Sequence, residues 1–330
     1  MRAPQFWSRG SGGLAPLLLS PVSAIYAAAT ARRMAQPGWR APVPVICAGN
    51  VTAGGAGKTT VALDLLARLK ARGIAVHALL RGYGGTEKGP LLVDPAQHGS
   101  ERVGDEALLL SEIAPTWVSA DRAAGARQAV AAGAEAIVMD DGLQNPTLEK
   151  DLPLLVVDGG YGFGNGRVIP AGPLREPVEI GAARCRAAVL IGEDEADVRS
   201  KLPPGLPVLR ARPVPAPAIA QLVGKPVLAF AGIANPLKFF ATLTAAGAVL
   251  VGRETFADHY PYDPSDMRTL ISEAERLKSV LATTPKDAVR IPAPFRDRVT
   301  VVGVSLAWES EAALNALLDP LFVHEAVSAA

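Results

Sequence analysis

The residues best suited to chemistry form a glycine-rich loop followed directly by a lysine and two threonines. The run reads Gly49-Asn50-Val51-Thr52-Ala53-Gly54-Gly55-Ala56-Gly57-Lys58-Thr59-Thr60. Glycines let backbone N–H groups turn inward around phosphate oxygens, and the start of a following helix adds positive potential. Lys58 can reach the β- and γ-phosphates of ATP, and the Thr59 hydroxyl can bind Mg²⁺. We therefore predict a phosphate-binding loop over residues 52–59, a variant in which Thr52 replaces the usual first glycine.

A second run supplies the carboxylates that phosphoryl transfer needs for its metal ion. Four apolar residues, 136–139, lead into Asp140 and Asp141 and then a glycine. If residues 136–140 form a strand, both carboxylates reach the carboxyl edge of the sheet, where ligands of open α/β sheets collect. We predict a Mg²⁺ site made of Thr59, Asp140 and Asp141. The alternative is a simple Asp-Gly turn after a strand.

Phosphate loops serve several classes of protein, so the loop alone does not give the reaction. A guanine-specific protein would usually carry an Asn-Lys-x-Asp run, and the sequence has none. Membrane-associated partitioning ATPases carry a lysine just before the paired glycines, where this chain has Ala53. A kinase is favoured, and a membrane-associated regulatory ATPase is the alternative.

The elements that must position these residues alternate between short apolar runs and helical patterns, which is typical of a parallel sheet covered by helices on both faces. The predicted strands are residues 43–49, 75–80, 116–119, 136–140, 154–158, 188–191, 208–211, 227–231, 248–251 and 300–304. The predicted helices are 58–71, 105–113, 122–132, 236–246 and 265–281. The fold class is therefore α/β, a P-loop NTPase-like sheet with a second, smaller α/β lobe.

Three segments are predicted along the 330 residues: 1–36, a membrane-associated leader; 37–205, a P-loop kinase core; and 206–330, a second lobe. The proline-rich stretch 203–217 is the predicted hinge. The formal net charge of +1 gives no overall field that favours nucleic acid. The two cysteines have no metal-ligand spacing and fit a reducing cytosol.

The leader is apolar and basic, since no acidic residue precedes Asp64. It imitates a secretory signal, but an exported P-loop protein would find no ATP. Pro16 and Pro21 interrupt its apolar run, which also looks too short to span a bilayer. We predict an interfacial anchor with Arg32 and Arg33 at the lipid headgroups. The alternative is a helix packed on the protein's own core.

In these features the sequence resembles the tetraacyldisaccharide 4′-kinases, which make the lipid A precursor lipid IVA. The resemblance covers nearly the whole chain and includes the variant phosphate loop. Its other runs are Pro21-Val22-Ser23-Ala24-Ile25-Tyr26, Arg81-Gly82-Tyr83-Gly84, Val103-Gly104-Asp105-Glu106-Ala107, Asp121-Arg122, Asp140-Asp141-Gly142-Leu143-Gln144, Pro170-Ala171-Gly172-Pro173-Leu174-Arg175-Glu176, Phe256-Ala257-Asp258-His259 and Lys286-Asp287-Ala288. Two positions depart from the family pattern, because Asn145 and Tyr260 stand where histidines are usual.

The resemblance implies transfer of the ATP γ-phosphoryl group to the 4′-hydroxyl of a tetraacylated glucosamine disaccharide 1-phosphate. It places the reaction at the cytoplasmic face of the bacterial inner membrane, with the glycolipid and the membrane surface as partners and with no nucleic acid. It implies that Asp105 accepts the hydroxyl proton with His259 hydrogen-bonded to it or beside it. Lys58, Arg122 and Arg175 are the predicted phosphate-holding cations. Each arginine could instead be a solvated surface residue.

Overall fold

The computed structural model describes residues 4–10 and 13–323. Within these residues the strands are β1 (Val45–Gly49), β2 (Val76–Leu80), β3 (Leu91–Leu92), β4 (Thr116–Val118), β5 (Ala136–Asp140), β6 (Leu152–Asp158), β7 (Ala187–Ile191), β8 (Val208–Pro215), β9 (Pro226–Ala231), β10 (Val249–Thr255), β11 (Val280–Thr283), β12 (Thr300–Val301) and β13 (Val304–Trp308). The α-helices are α1 (Leu14–Met34), α2 (Lys58–Ala71), α3 (Ser100–Val103), α4 (Asp105–Ser111), α5 (Arg122–Ala131), α6 (Val178–Ala183), α7 (Pro236–Ala245), α8 (Pro264–Arg276), α9 (Pro285–Ala288) and α10 (Glu311–Leu318).

Nine strands of the described chain form one sheet in the order β13-β8-β7-β6-β1-β5-β2-β4-β3. Every neighbouring pair is parallel except those at the two edges, β13 with β8 and β3 with β4. Side chains of β1 alternate between two apolar cores, with Ile46 and Ala48 on one face and Val45 and Cys47 on the other. One core is shared with α2, α4 and α10, and the other with α5 and α6. The predicted parallel sheet flanked by helices is thus confirmed.

A second, four-stranded sheet has the order β10-β9-β11-β12 and is parallel throughout. Helix α7 covers one face, where Phe239 and Leu243 are buried, and α8 covers the other with Met267 and Leu270. This is the smaller α/β lobe that the sequence predicts. It lies between β8 and β13 along the chain, so the chain leaves the large sheet and later returns to it.

This return divides the segment that was predicted as one lobe, 206–330, between two sheets. Strand β13 pairs with β8 in the large sheet, and α10 packs in the same core as α2. Arg72 forms an ion pair with Asp319 at 2.9 Å, and the Trp308 indole donates to Asp64 at 2.9 Å. Because these contacts are long-range, no local pattern in the sequence marked the chain's return.

The predicted helix over 265–281 is too long. Helix α8 ends at Arg276, and β11 begins only four residues later at Val280. Leu277 and Leu281 continue the helical spacing of apolar residues, which is why the pattern extended through them. The chain reverses at Lys278, whose φ of 50° lies in the left-handed region, and Ser279 N–H then bonds Ala274 O at 2.9 Å.

Helix α1 runs for 21 residues without a break at Pro21. It is long and apolar enough to cross a membrane by length and composition alone, which the interrupted apolar run did not predict. It is attached to the large lobe through Ser23, whose hydroxyl donates to Val168 O at 2.8 Å and accepts from Ala171 N–H at 3.1 Å. The Trp7 indole, which precedes the helix, donates to Pro170 O at 3.0 Å.

The two faces of α1 have the opposite polarity to those of a helix packed on a soluble core. Its buried residues are Pro16, Ser23 and Thr30. Its exposed residues include large apolar side chains, namely Leu14, Leu17, Leu18, Val22 and Ile25. A helix in water normally buries its leucines and exposes its hydroxyls. The alternative of a helix packed into the protein core is therefore wrong.

Candidate active site

The phosphate loop connects β1 to α2 and is held in shape by its own polar side chains. Asn50 is buried and donates from Nδ2 to Thr52 Oγ1 at 2.9 Å. Ala53 N–H donates to Pro173 O at 2.7 Å, which fixes the loop to the segment that precedes Arg175. Gly57 precedes α2 with a φ of 84°, a conformation that favours glycine. The loop therefore starts at the end of a strand, ends at the start of a helix and is bonded between them to a neighbouring segment.

Lys58 extends back along this loop rather than into solvent. Its Nζ donates to Asn50 Oδ1 at 3.0 Å and lies 3.5 Å from Asp141 Oδ2. The side chain is 10% exposed. The ammonium group is thus directed to the concave side of the loop, where a nucleotide phosphate would replace neutral and anionic protein oxygens as its partner.

Asp140 is the last residue of β5, which lies beside β1 with Ala48 opposite Asp140. Its Oδ2 accepts a hydrogen bond from the Thr59 hydroxyl at 2.8 Å. Its Oδ1 is buried and has no hydrogen-bond partner among the described residues. Burial, opposed by the Lys58 charge, raises the pKa of Asp140 from 3.8 to about 6. A buried oxygen without a partner is costly unless a ligand completes it.

This donor set fits Mg²⁺. In the part of the chain that the structure describes, no three His, Cys, Asp or Glu side chains are grouped to hold a metal ion by themselves. Mg²⁺ keeps several waters and is usually held by one or two carboxylates together with substrate phosphates. The free Asp140 oxygen and the Thr59 hydroxyl are suitable protein ligands, and the phosphates would supply others.

Asp141 is held differently from its neighbour. It has a φ of 58°, and Arg175 binds both of its carboxylate oxygens, at 2.6 and 2.9 Å. Burial opposes ionisation, but the charges of Lys58 and Arg175 outweigh it and lower the pKa of Asp141. Of the two predicted carboxylate ligands, Asp140 therefore has an oxygen free for a metal ion, whereas Asp141 is engaged with two cations.

We expect Asp140 to make the stability of the metal-free protein depend on pH. Its pKa in the folded chain, about 6, lies above the ordinary value of 3.8, so folding favours the protonated form. That stabilisation is complete below about pH 4 and is lost as the pH rises through about 6. Relative to Asp140→Asn, the wild-type free energy of unfolding should fall by up to about 3 kcal/mol over this range. Urea unfolding in EDTA measures the difference, and a difference independent of pH would contradict the assignment.

Asp105 and His259 come together from the two lobes, although 154 residues separate them. Asp105 is the first residue of α4 and is 3% exposed, and the helix has no side-chain cap. Its Oδ2 lies 2.7 Å from His259 Nδ1. The hydrogen bond to Asp105 raises the pKa of His259 above 6.5, although burial opposes this. The predicted contact is confirmed, and the aspartate does not act as a helix cap.

The sequence alone predicts no role for the next residue, Glu106. Its Oε1 lies 2.5 Å from the Lys286 ammonium group of the smaller lobe, and its Oε2 is buried with no hydrogen-bond partner in the described chain. Glu106 is also among the charges that raise the pKa of Asp140. The start of α4 therefore lies electrostatically close to the metal-binding edge. Both Glu106 and Lys286 occur in runs shared with the family, which was the available signal.

Arg122 bonds to backbone carbonyls, whereas Arg175 bonds to a carboxylate. It is 4% exposed, and its Nη1 donates to Ser119 O at 2.5 Å and to Ala120 O at 3.3 Å. Its Nε is buried without a hydrogen-bond partner in the described chain. Burial and the nearby Arg81 charge lower the pKa of Arg122 to about 10. The surface alternative for this arginine is wrong, because the guanidinium is buried beneath the loop that follows β4.

The two residues that depart from the family pattern, Asn145 and Tyr260, contact their near neighbours in the chain. Asn145 Oδ1 accepts from the backbone and hydroxyl of Thr147, at 3.1 and 2.8 Å, and so forms a turn. The Tyr260 ring packs on Phe256 with centroids 4.8 Å apart. Gln144, by contrast, bridges the site, because it donates to Asn50 O at 2.9 Å and lies 3.2 Å from Arg175 Nη1.

Comparisons with known proteins agree over almost the full length. A family model described as tetraacyldisaccharide-1-P 4′-kinase matches residues 15–322. The tetraacyldisaccharide 4′-kinase of Gluconacetobacter diazotrophicus is 60% identical, over 97% of this chain and 98% of its own. That of Rhodospirillum rubrum is 55% identical, over 98% of each. The crystal structure of LpxK from Aquifex aeolicus in complex with ATP superposes with a TM-score of 0.75 at 26% identity, covering 93% of this chain and 99% of that one.

Proposed function

Because this chain belongs to the tetraacyldisaccharide-1-phosphate 4′-kinase family, we propose a route by which its side chains carry out that family's reaction. The chain is a lipid kinase that transfers the ATP γ-phosphoryl group to the 4′-hydroxyl of tetraacyldisaccharide 1-phosphate, forming lipid IVA. The observation that carries the route is the 2.8 Å contact between Thr59 and Asp140, with Lys58 beside Asp141. These contacts bring the phosphate loop and the carboxylates at the end of β5 together at one edge of the sheet, as a Mg·ATP site requires.

Residues 52–59 bind the ATP phosphates through backbone N–H groups, and Lys58 exchanges its contact with Asn50 for the β- and γ-phosphates. Thr59 and Asp140 are the residues that would hold Mg²⁺. The ion would neutralise the charge that develops on the phosphate oxygens during transfer. Arg175 is aligned by its two bonds to Asp141 and has remaining N–H groups for a phosphate of either substrate. The buried guanidinium of Arg122 adds positive electrostatic potential at this phosphate site.

Asp105 accepts the proton of the attacking 4′-hydroxyl. Its hydrogen bond to His259 and its ion pair with Arg290 both use Oδ2, which leaves Oδ1 for that proton. A bond forms between the 4′-oxygen and the γ-phosphorus, the bond to the β–γ bridging oxygen breaks, and ADP leaves. His259 orients the carboxylate and stabilises its charge.

The exposed face of α1 supports a membrane site for the enzyme. The acceptor carries acyl chains, and a helix that directs Leu14, Leu18 and Ile25 outward would bury them in the bilayer from which the acceptor comes. Arg32 and Arg33 lie in its last turn, where anionic headgroups would bind them. We place the enzyme at the cytoplasmic face of the bacterial inner membrane, because ATP is available there.

We expect Leu18→Glu/Ile25→Glu to weaken binding to anionic vesicles by roughly a hundredfold, because two exposed apolar side chains no longer enter the bilayer. These side chains are 76% and 71% exposed, so the fold should be unaffected. Leu237→Glu, at a 70% exposed position of α7, is the matched control and should bind as wild type does. Cosedimentation measures both variants. Equal binding by all three proteins would mean that α1 does not face the membrane.

The function itself is tested by offering three acceptors to the full chain with Mg·ATP: the acylated disaccharide 1-phosphate, glucosamine and a serine peptide. Labelled phosphate should appear in the glycolipid alone. A regulatory ATPase would release inorganic phosphate at the same rate with every acceptor.

A further inference from the structure

A buried ion pair in the smaller lobe lies directly behind Asp105 and His259. Arg290 and Asp287 are 2% and 0% exposed at their side chains, and their closest atoms are 3.0 Å apart. Both follow β11, at or just beyond the short helix α9. Removing two charges from water is costly, and apolar residues of similar volume are often no less stabilising. Stability alone therefore does not explain this pair.

The pair holds the backbone of one residue, Gly232 after β9, through its N–H group and through its carbonyl group. The Gly232 N–H donates to Asp287 Oδ1 at 2.7 Å, and its carbonyl accepts from Arg290 Nη2 at 3.0 Å. The same carbonyl accepts the backbone N–H of His259 at 3.1 Å. The position of the His259 backbone therefore depends on the Gly232 carbonyl, which Arg290 holds, while Asp287 holds the N–H of the same residue.

Arg290 also contacts the other side of the His259 segment. Its Nη1 donates to Tyr260 O at 2.9 Å, so the guanidinium holds the residue after His259 directly and the His259 N–H through the Gly232 carbonyl. His259 has a φ of 59°, a left-handed conformation that a non-glycine residue keeps only when its surroundings hold it. Without the arginine the segment would be free to relax and to carry the ring away from Asp105.

Finally, Arg290 reaches Asp105 itself. Its Nε lies 3.4 Å from Asp105 Oδ2, the oxygen that also binds His259 Nδ1 at 2.7 Å. One guanidinium thus touches the carboxylate of the large lobe and the backbone that carries its histidine partner. This contact links the two lobes at Asp105 Oδ2, the carboxylate oxygen that also binds His259.

We propose that Arg290, itself oriented by Asp287, is a positioning residue that fixes the Asp105–His259 pair across the two lobes. Its side chain is only 2% exposed, so it acts on the reaction through that pair. The inference rests on the proposed function, since it presumes that Asp105 accepts the hydroxyl proton. A purely structural ion pair would stabilise the smaller lobe without affecting the rate in this way.

The test measures glycolipid phosphorylation with radiolabelled ATP, so that rates far below wild type are quantified. Arg290→Lys keeps a buried cation beside Asp287 but loses the fork that spans Gly232 and Tyr260. The double variant Arg290→Met/Asp287→Asn removes both charges and so leaves no unpaired buried charge. It keeps the test valid if the single variant does not fold. Arg298→Met is the control, because Arg298 pairs with Glu275 at 2.7 Å on the surface of the same lobe.

We expect Arg290→Lys to lower kcat by about a hundredfold, with an unchanged KM for ATP, since a misplacement of about 1 Å has that effect on rate. The charge-balanced double variant should be similarly slow, and Arg298→Met should match wild type. In an Asp105→Asn background, adding Arg290→Lys should cost less than about twofold, because residues that act as a unit are non-additive.

A full hundredfold loss in the Asp105→Asn background, or a wild-type kcat for Arg290→Lys, would overturn the positioning role while leaving the kinase assignment intact. A wild type that phosphorylates no glycolipid would instead overturn the proposed function, and this inference with it.

Discussion

Lys58→Ala should lower the rate of phosphoryl transfer by on the order of a thousandfold, and Thr59→Ala by a comparable factor. Within the described chain, the polar contacts of the Lys58 ammonium group are with Asn50, Gly54 and Asp141, and that of the Thr59 hydroxyl is with Asp140. Both side chains lie at the polar edge and not in the apolar core. The loss therefore comes from the transition state, where each would act on phosphate or metal.

The controls lie on the same helix. Thr60→Ala tests an adjacent threonine, and Lys70→Ala tests a lysine whose ammonium group donates to Ile113 O at 2.7 Å, far from the loop. Steady-state rates, with circular dichroism and thermal melting to verify folding, measure all four variants. Near-normal turnover by a folded Lys58→Ala protein would eliminate the P-loop mechanism.

Asp105→Asn should lower kcat by roughly a hundredfold to ten-thousandfold, the range in which general base catalysis contributes. ATP binding and the melting temperature should change little, because the amide keeps the size of the carboxylate. The rival role is an interaction with the helix dipole, which is worth only about 1 kcal/mol. Asp263→Asn is the control for that role, since Asp263 caps α8 through bonds to Ser265 and Asp266 and lies away from the site.

His259→Ala should be similarly slow, and the double variant should be little slower than either single one, because the two residues act as a unit. Their contact at 2.7 Å motivates this expectation. Fully additive losses would mean that they act separately. A defect of Asp105→Asn confined to stability would move the search for the base to Asp140 and Asp141.

The phosphate loop and its carboxylates could be predicted from sequence because the signals are local. Residues 136–140 form a strand with the predicted bounds, and α2 begins at Lys58 as the Gly-Lys-Thr run requires. The different states of Asp140 and Asp141 could not be predicted. They depend on Arg175, which lies 34 residues beyond Asp141 and reaches it only in the folded chain.

The contact between Asp105 and His259 was predicted from the family resemblance, and nothing in their spacing would have given it. The same holds for Arg290, since its partners come from Gly232, Tyr260 and the other lobe. The outward orientation of the α1 leucines was also inaccessible. Composition shows that the helix is apolar, but only packing shows that Ser23 and Thr30 are the residues turned toward the protein.

ATP turnover by this site should deliver its phosphate to one hydroxyl of a glycolipid. The most direct measurement counts ADP and monitors the disaccharide product by mass spectrometry and ³¹P NMR in one reaction with the full chain. We predict one ADP per new phosphomonoester, with that ester at the 4′-position and no turnover without acceptor. Formation of ADP without a 4′-phosphorylated glycolipid would contradict the assignment of this site as a glycolipid kinase.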